Sequence, residues 1–151
     1  MSDKTKQVLL VENHRLFRDG LKRSLELDKT IKVVAEADDG LRAVEIVGQI
    51  EIDVVFMDIN LSKLNGMDST KQILKINPQI KIIGISMHKH ISYIKGMMDA
   101  GASGYLMKTC SGKLMSEAVM AVLSGQKYFC SEILQLIQDS KVDVSTMFGN
   151  N

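Results

Sequence analysis

The chain has 151 residues, and its 19 basic and 18 acidic residues leave a net charge of +1. Its 25% charged and 45% apolar residues are ordinary for a globular domain and exclude a disordered, collagen-like or mostly coiled-coil chain. The even charge balance also argues against a nucleic-acid surface spread over the whole chain, and the length predicts one domain.

Cysteine content and hydropathy indicate the compartment. Cys110 and Cys130 are too few for a disulfide scaffold, and we expect two free thiols in a reducing environment. Residues 1–6 are too polar for a signal peptide, and no apolar run approaches the ~18 residues that a membrane span needs. The sequence therefore predicts a cytoplasmic protein without a membrane partner.

Five short apolar runs recur along the chain and predict strands that are buried on both faces. They start near residues 8, 31, 54, 82 and 104 and read VLLV, IKVVA, VVFM, IIGI and GYLM. Between them, apolar residues recur every three or four positions, which is a helical period. Start and stop signals bound these helices at Asp38-Asp39-Gly40, Asn77-Pro78, Gly101 and Gly125.

Five strands that alternate with five helices predict an α/β fold, a parallel sheet with helices on both faces. Right-handed crossovers leave few topologies, and we predict a doubly wound, five-stranded parallel sheet of order 2-1-3-4-5. This order places the ends of strands 1 and 3 side by side at the switch point, where ligands bind.

The pattern changes after Gly125. Tyr128 and Phe129 are an isolated aromatic pair, and Ser131 is predicted to cap a short helix near 131–140. We therefore expect a first domain over 1–124 and a linker-like tail over 125–151. This tail is too short for a helix-turn-helix output domain, so we expect no output domain in this chain.

Polar residues follow four of the predicted strands directly, so the fold delivers them to one edge of the sheet. They are Glu12 and Asn13 after strand 1, Asp58 after strand 3, Ser86 after strand 4 and Lys108 after strand 5. Carboxylate and amide oxygens suit Mg²⁺, and a lysine with a hydroxyl suits a phosphoryl group. We predict phosphoryl transfer to the Asp58 carboxylate, with Lys108 and Ser86 holding phosphoryl oxygens.

Residues 7–124 resemble the receiver domain of a two-component response regulator. The resemblance is carried by the segments VEN, MDIN, GIS and GYLMK, which occur in this order on the predicted strands. The segments ENHRLFRDGL and AGASGY resemble the LuxR/NarL-type subfamily, which usually carries a helix-turn-helix domain. The resemblance implies a flavodoxin-like (CheY-like) fold and phosphorylation of Asp58 by a sensor histidine kinase.

The resemblance also implies roles for the metal and the switch. Mg²⁺ would be held by Glu12, Asn13, Asp58 and the backbone carbonyl of Asn60. Ser86 and Tyr105 would be the switch residues that change the face made by helix 4, strand 5 and helix 5.

The switched face would control an output, expected to be transcription through a DNA-binding domain. That face or the helix 1/helix 5 face would form a homodimer. We expect no DNA binding by this stretch itself.

One departure from the family pattern bears on the metal and on the alternatives. Asn13 stands where these domains usually have an aspartate, so we expect weaker Mg²⁺ binding. The same departure motivates an alternative, a pseudo-receiver that acts as an interaction module without phosphate.

A second alternative is a phosphatase of the haloacid-dehalogenase type. Such enzymes carry Asp-x-Asp on their first strand, whereas Asp58-Ile59-Asn60 follows the third run here. We expect a signalling switch and no enzyme beyond self-phosphorylation from small phosphodonors and slow self-dephosphorylation.

Overall fold

The computed structural model describes residues 4–140, so the predicted tail from Lys141 onward lies outside the described residues. Strands and helices alternate along the chain. They are β1 (Lys6–Val11), α1 (Arg15–Glu26), β2 (Ile31–Ala37), α2 (Gly40–Val47), β3 (Val54–Asp58), α3 (Gly66–Ile76), β4 (Lys81–Ser86), α4 (Ile91–Asp99), β5 (Gly104–Met107), α5 (Gly112–Leu123), β6 (Tyr128–Phe129) and α6 (Ser131–Asp139).

The strands form one parallel sheet in the order β2-β1-β3-β4-β5-β6. The predicted order 2-1-3-4-5 is confirmed within it, but the predicted count of five strands was wrong. Tyr128 and Phe129 pair in parallel with Gly104 and Tyr105 and add a sixth strand beside β5. Two residues are too few to show a strand pattern, so only the pairing reveals this strand.

Local side-chain chemistry explains where several helices begin and end. The side chains of Asp39, Asn65 and Ser111 accept hydrogen bonds from backbone N–H groups in the first turns of α2, α3 and α5. Gly101 and Gly125 have φ angles of +112° and +93°, and they follow the ends of α4 and α5. Glycine adopts this left-handed conformation without steric cost, so both residues act as stop signals.

Helix α6 packs on the same core as the rest of the described chain. Ile133 and Ile137 are 0% and 1% exposed and belong to the main apolar cluster. The prediction that Ser131 caps this helix was wrong, because Cys130 occupies the N-cap and Ser131 is the first helical residue. Cys130 forms no side-chain capping bond, and the two isoleucines anchor α6 in the core.

The apolar core ends in a polar edge. All five residues of β3 are buried, as are four of the six residues of β1. Glu12, Asp58, Ser86 and Lys108 are also buried, and each stands at or just beyond the carboxyl end of its strand. Within residues 4–140 no helix is long and apolar enough to cross a membrane.

Candidate functional site

Three charged side chains meet at the carboxyl edge of the sheet. Lys108 Nζ lies 2.6 Å from Glu12 Oε1 and 3.0 Å from Asp58 Oδ2. The three side chains are at most 5% exposed, so solvent screens their charges little. One ammonium between two carboxylates leaves an excess of negative charge, which favours a further cation.

Strand pairing explains why these side chains meet. β1 and β3 are parallel neighbours in which Val11 is level with Met57, so Glu12 and Asp58 follow side by side. The backbone N–H of Lys108 donates to the Ser86 carbonyl at 2.9 Å, which fixes the end of β5 against β4. The sheet therefore positions all four residues through its backbone.

Phe17 also contacts the site, although the sequence predicted no role for it. The Nζ atom of Lys108 lies 5.3 Å from the centre of the Phe17 ring, in the range of a cation–π interaction. Its helical spacing with Leu21 and Leu25 marked it only as a core residue of α1. Phe17 therefore helps to hold the lysine, together with the two carboxylates.

The Asp58 carboxylate is held from two sides. Oδ2 contacts Lys108, and Oδ1 accepts a hydrogen bond from the backbone N–H of Asn60 at 3.0 Å. Burial and the nearby charge of Glu12 raise the pKa of Asp58, and the Asn60 and Lys108 contacts only partly offset this. The raised pKa reflects the cost of burying the Asp58 anion beside Glu12.

Glu12 has more donors than Asp58. Its Oε2 atom accepts a hydrogen bond from the His14 backbone N–H at 2.8 Å and lies 2.9 Å from His14 Nδ1. Burial alone would raise the pKa of Glu12, but the contacts with Lys108 and His14 outweigh it and lower the pKa. The pKa values of the two carboxylates therefore shift in opposite directions.

The predicted switch residues lie beside this cluster. Ser86 is fully buried, and its Oγ atom accepts a hydrogen bond from the His88 N–H at 2.9 Å. Tyr105 is also fully buried, and its ring covers Gly84, where a Cβ atom would lie 3.0 Å from the ring. Its hydroxyl lies close to Ser86 but has no well-aligned hydrogen bond within the described part of the chain.

Asn13 is the predicted metal ligand that the structure does not bring into the cluster. Its side chain is exposed, and within residues 4–140 it makes no hydrogen bond or ion pair. The neighbouring His14, to which the sequence gave no role, comes closer. Ligand atoms of Glu12, His14 and Asp58 lie within 4.8 Å of one another. The two buried carboxylates supply the oxygen donors that Mg²⁺ prefers, so the donor set fits this ion.

An open depression leads to the cluster from solvent. It has a volume of about 300 Å³ and is lined by His14, Phe17, Met87 and Lys108. Met87 and the His14 side chain are 55% and 72% exposed, so the rim is accessible. Lys108 is therefore reachable from solvent on this side.

Comparisons with known proteins agree with this arrangement. Residues 8–120 match the model of the response regulator receiver domain family. The chain is 38% identical over 122 residues to the transcriptional regulatory protein DegU of Brevibacillus brevis, covering 81% of this chain and 52% of the relative. It is also 38% identical over 136 residues to the response regulator UvrY of Escherichia coli K12, covering 90% of this chain and 62% of the relative. The chain thus spans about half to two thirds of the length of these curated relatives.

Solved structures show the same fold. A LuxR-family two-component response regulator from Aurantimonas sp. SI85-9A1 superposes with a TM-score of 0.87 at 29% identity, covering 93% of this chain and all of that one. The receiver domain of the regulator NarL from Mycobacterium tuberculosis gives 0.78 at 27% identity, covering 82% and 99%. A CheY-like receiver domain protein from Methanospirillum hungatei JF-1 gives 0.74 at 20% identity, covering 81% and 96%. The predicted CheY-like fold is therefore confirmed.

Proposed function

Because the chain belongs to the response regulator receiver domain family, in its LuxR/NarL-type branch, we propose that it is a phosphorylatable switch. In this proposal Asp58 accepts a phosphoryl group from a sensor histidine kinase. The observation that carries the proposal is the buried cluster in which Lys108 contacts both Glu12 and Asp58. This cluster keeps the nucleophile, a second carboxylate and a phosphate-binding cation within contact distance.

The reaction is a displacement at phosphorus. An oxygen of Asp58 forms a bond to phosphorus, and the bond from phosphorus to the donor breaks, its electron pair leaving with the donor. Lys108 compensates the charge of the transferred phosphoryl oxygens, and the Ser86 hydroxyl donates a hydrogen bond to one of them. Lys108 already contacts Asp58 before transfer, so it can pass from the carboxylate to the phosphoryl group without a long movement.

Mg²⁺ is the proposed cofactor. Glu12 and Asp58 would hold it through carboxylate oxygens, Asn13 through its amide oxygen and Asn60 through its backbone carbonyl. When bound, the ion supplies positive charge that offsets the charge of the carboxylates and the incoming phosphoryl group. Because the Asn13 amide is neutral, we propose weaker binding than an aspartate would give at this position.

The proposed switch connects phosphorylation to the face of α4, β5 and α5. Ser86 would turn toward the phosphoryl group, and buried Tyr105, which lies close to Ser86, would follow. The output would be transcription through a DNA-binding domain, with homodimers formed by this face or by α1 and α5. The free thiols of Cys110 and Cys130 fit the proposed reducing, cytoplasmic location.

The two alternatives are less well supported. The pseudo-receiver was suggested by Asn13, but Asp58, Lys108 and Glu12 retain the contacts that phosphorylation needs. The phosphatase is disfavoured by the family match and by the position of Asp58 at the end of β3. Receiver domains are signalling domains, and any reaction of the chain with small phosphodonors is part of the proposal.

Intact-mass measurement after incubation with Mg²⁺ and acetyl phosphate tests the proposal. We expect the wild-type chain to gain one phosphoryl group and Asp58→Asn to gain none. Asp99→Asn is the matched control, because Asp99 is a half-exposed carboxylate on α4, and this variant should gain mass as the wild type does. A wild-type chain that gains no mass in Mg²⁺ would instead support the phosphate-independent module.

A further inference from the structure

His14 lies at the metal-binding edge of the cluster in a position to act as a ligand. Its Nδ1 atom is 2.9 Å from Glu12 Oε2, although the side chain is 72% exposed. Ligand atoms of His14, Glu12 and Asp58 lie within 4.8 Å of one another, which a single ion can bridge. The imidazole is therefore turned toward the carboxylates while its other edge faces solvent.

The two oxygens of Glu12 serve different neighbours. Oε1 contacts Lys108 at 2.6 Å, and Oε2 faces His14. Lys108 likewise contacts Oδ2 of Asp58 and leaves Oδ1 to the Asn60 N–H. A cation on the His14 side can therefore bind Glu12 Oε2 while Lys108 keeps its contact with Oε1.

His14 adds a nitrogen donor to the two carboxylates that suit Mg²⁺. Mg²⁺ prefers oxygen ligands, whereas an imidazole nitrogen suits first-row transition metals such as Co²⁺, Ni²⁺ and Zn²⁺. The adjacent Asn13 adds no charge to the site and is exposed, so it does little to favour Mg²⁺. One nitrogen and two carboxylates within reach of one ion point to a borderline dication.

We propose that His14 is a metal ligand and that the site prefers a first-row transition-metal dication to Mg²⁺. This inference rests on the proposed function only in placing a metal beside Asp58. The imidazole gives up its contact with Glu12 Oε2 and binds the ion through Nδ1. The metal then lies between His14 and the two carboxylates, on the side of Glu12 away from Lys108.

Titration of the untagged, chelator-treated chain with Co²⁺ and, separately, with Mg²⁺ tests this proposal. Visible absorption reports Co²⁺ binding, and calorimetry reports both ions. We expect the wild-type chain to bind Co²⁺ at least about tenfold more tightly than Mg²⁺. His14→Ala should lower this preference by about tenfold, because loss of even a residue that only hydrogen-bonds to a ligand typically lowers metal affinity by that factor.

His90→Ala is the matched control. His90, like His14, stands at the N-cap of a helix, is exposed and makes no side-chain capping bond. The control should retain the wild-type preference for Co²⁺. An unchanged preference in His14→Ala, or an equal loss in His90→Ala, would overturn the assignment, the latter by indicating adventitious binding to surface histidines.

The phosphorylation assay separates failure of this inference from failure of the proposed function. If the wild-type chain gains a phosphoryl group in Mg²⁺ while His14→Ala keeps the Co²⁺ preference, only the metal assignment is wrong. If Co²⁺ binding depends on His14 but no phosphoryl group is gained in either metal, the ligand assignment stands and the proposed function fails.

Discussion

Two buried carboxylates share one lysine, yet their pKa values move in opposite directions. Glu12 contacts Lys108 and both nitrogen donors of His14, and its pKa is lowered despite burial. Asp58 has the Asn60 N–H and the same lysine but faces the charge of Glu12, and burial raises its pKa. As an anion, Asp58 therefore has fewer stabilising contacts than Glu12.

Asp58→Asn should raise the free energy of unfolding at pH 7 in metal-free buffer. The folded pKa of Asp58 lies above its ordinary value of 3.8, so ionisation costs stability above the folded pKa. This cost disappears as the pH falls through the folded pKa and below 3.8, and the variant should lose its advantage there. Urea unfolding at pH 7 and at acid pH measures the effect.

Glu12→Gln provides the opposite control in the same experiment. The lowered pKa of Glu12 means that its carboxylate stabilises the fold at neutral pH, so this variant should be less stable than the wild type at pH 7. If both substitutions lower the free energy of unfolding by the same amount, the opposite pKa shifts of the two carboxylates are contradicted.

Asn13→Asp should tighten Mg²⁺ binding by roughly tenfold. A unit negative charge near a dication contributes on the order of 1 kcal/mol even in water, and about 1.4 kcal/mol corresponds to tenfold. Calorimetric titration with Mg²⁺ measures the change. Gln49→Glu adds the same charge on the exposed loop after α2 and should leave the affinity as it is; unchanged binding in both variants would exclude Asn13 from the site.

Tyr105→Phe should leave stability at neutral pH unchanged or raise it by about 1 kcal/mol, because the buried hydroxyl has no well-aligned partner among residues 4–140. Burial raises the pKa of Tyr105 from 10.0 to about 12. The folded state therefore holds this proton more tightly than the unfolded chain, and the wild type should lose stability above pH 10. Thermal unfolding between pH 8 and 11 should show a smaller loss for the variant; parallel curves would contradict this.

At the scale of elements, the loop between β3 and α3 leaves no room beside Asp58. A Cβ atom at Gly66 would lie 2.7 Å from the Asp58 carbonyl oxygen and 2.9 Å from Ile59 Cα. Both contacts are with backbone, which cannot rotate away as a side chain can. The start of α3 is therefore packed directly against the strand end that carries Asp58.

Gly66→Ala should lower the free energy of unfolding by about 1–3 kcal/mol and slow the phosphorylation of Asp58, because the backbone has to shift. Gly20→Ala is the control, since a Cβ atom there meets nothing within 4 Å. Because Gly20 lies in the interior of α1, Gly20→Ala should raise the free energy of unfolding by about 0.5–1 kcal/mol. Urea denaturation measures the stability of both variants, and the mass assay measures their rate of phosphorylation. If Gly66→Ala changes neither, the backbone of this loop can shift at little cost.

The sequence predicts those parts of the fold in which local chemistry and tertiary packing agree. Five buried strands, their order and the cap at Asp39 follow from apolar runs and turn residues. The strand at Tyr128 and Phe129 cannot be predicted from such local patterns, because it is defined only by its pairing with β5. Ser131 is a good capping residue, but the N-cap of α6 is Cys130 and Ser131 is already helical, which residue preference alone does not predict.

The same limit applies to the site. Strand ends predict that Glu12, Asp58 and Lys108 meet, because a parallel sheet brings its carboxyl ends together. No comparable rule predicts from the sequence which way a loop side chain points. His14 turns toward Glu12 and Asn13 remains exposed, which spacing in the sequence cannot distinguish.

At the scale of the whole molecule, the folded unit extends beyond the match to the family, which ends at residue 120. Phe129, Cys130, Ile133 and Ile137 are buried in the same core as the central strands. A chain that ends at Ser124 would expose the apolar surface these residues cover and the edge of β5.

A chain ending at Ser124 should lose several kcal/mol of unfolding free energy, since each fully buried isoleucine contributes about 1.5–3 kcal/mol. The denaturant m value should also fall, because less surface is buried on folding. A chain ending at Ser140 keeps both isoleucines and should be more stable than the chain ending at Ser124. Equal stability of the Ser124 and Ser140 chains would show that β6 and α6 contribute nothing.

The two-residue strand β6 also affects the order in which the sheet forms during synthesis. The carbonyl of Ser103 accepts from the Tyr128 N–H at 3.0 Å, so the outer edge of β5 is covered only by residues translated about 25 positions later. A nascent chain that has released β5 but not Phe129 from the ribosome therefore carries an open strand edge beside Tyr105. Open edges pair with other chains, so during this interval the edge of β5 is exposed to misassembly.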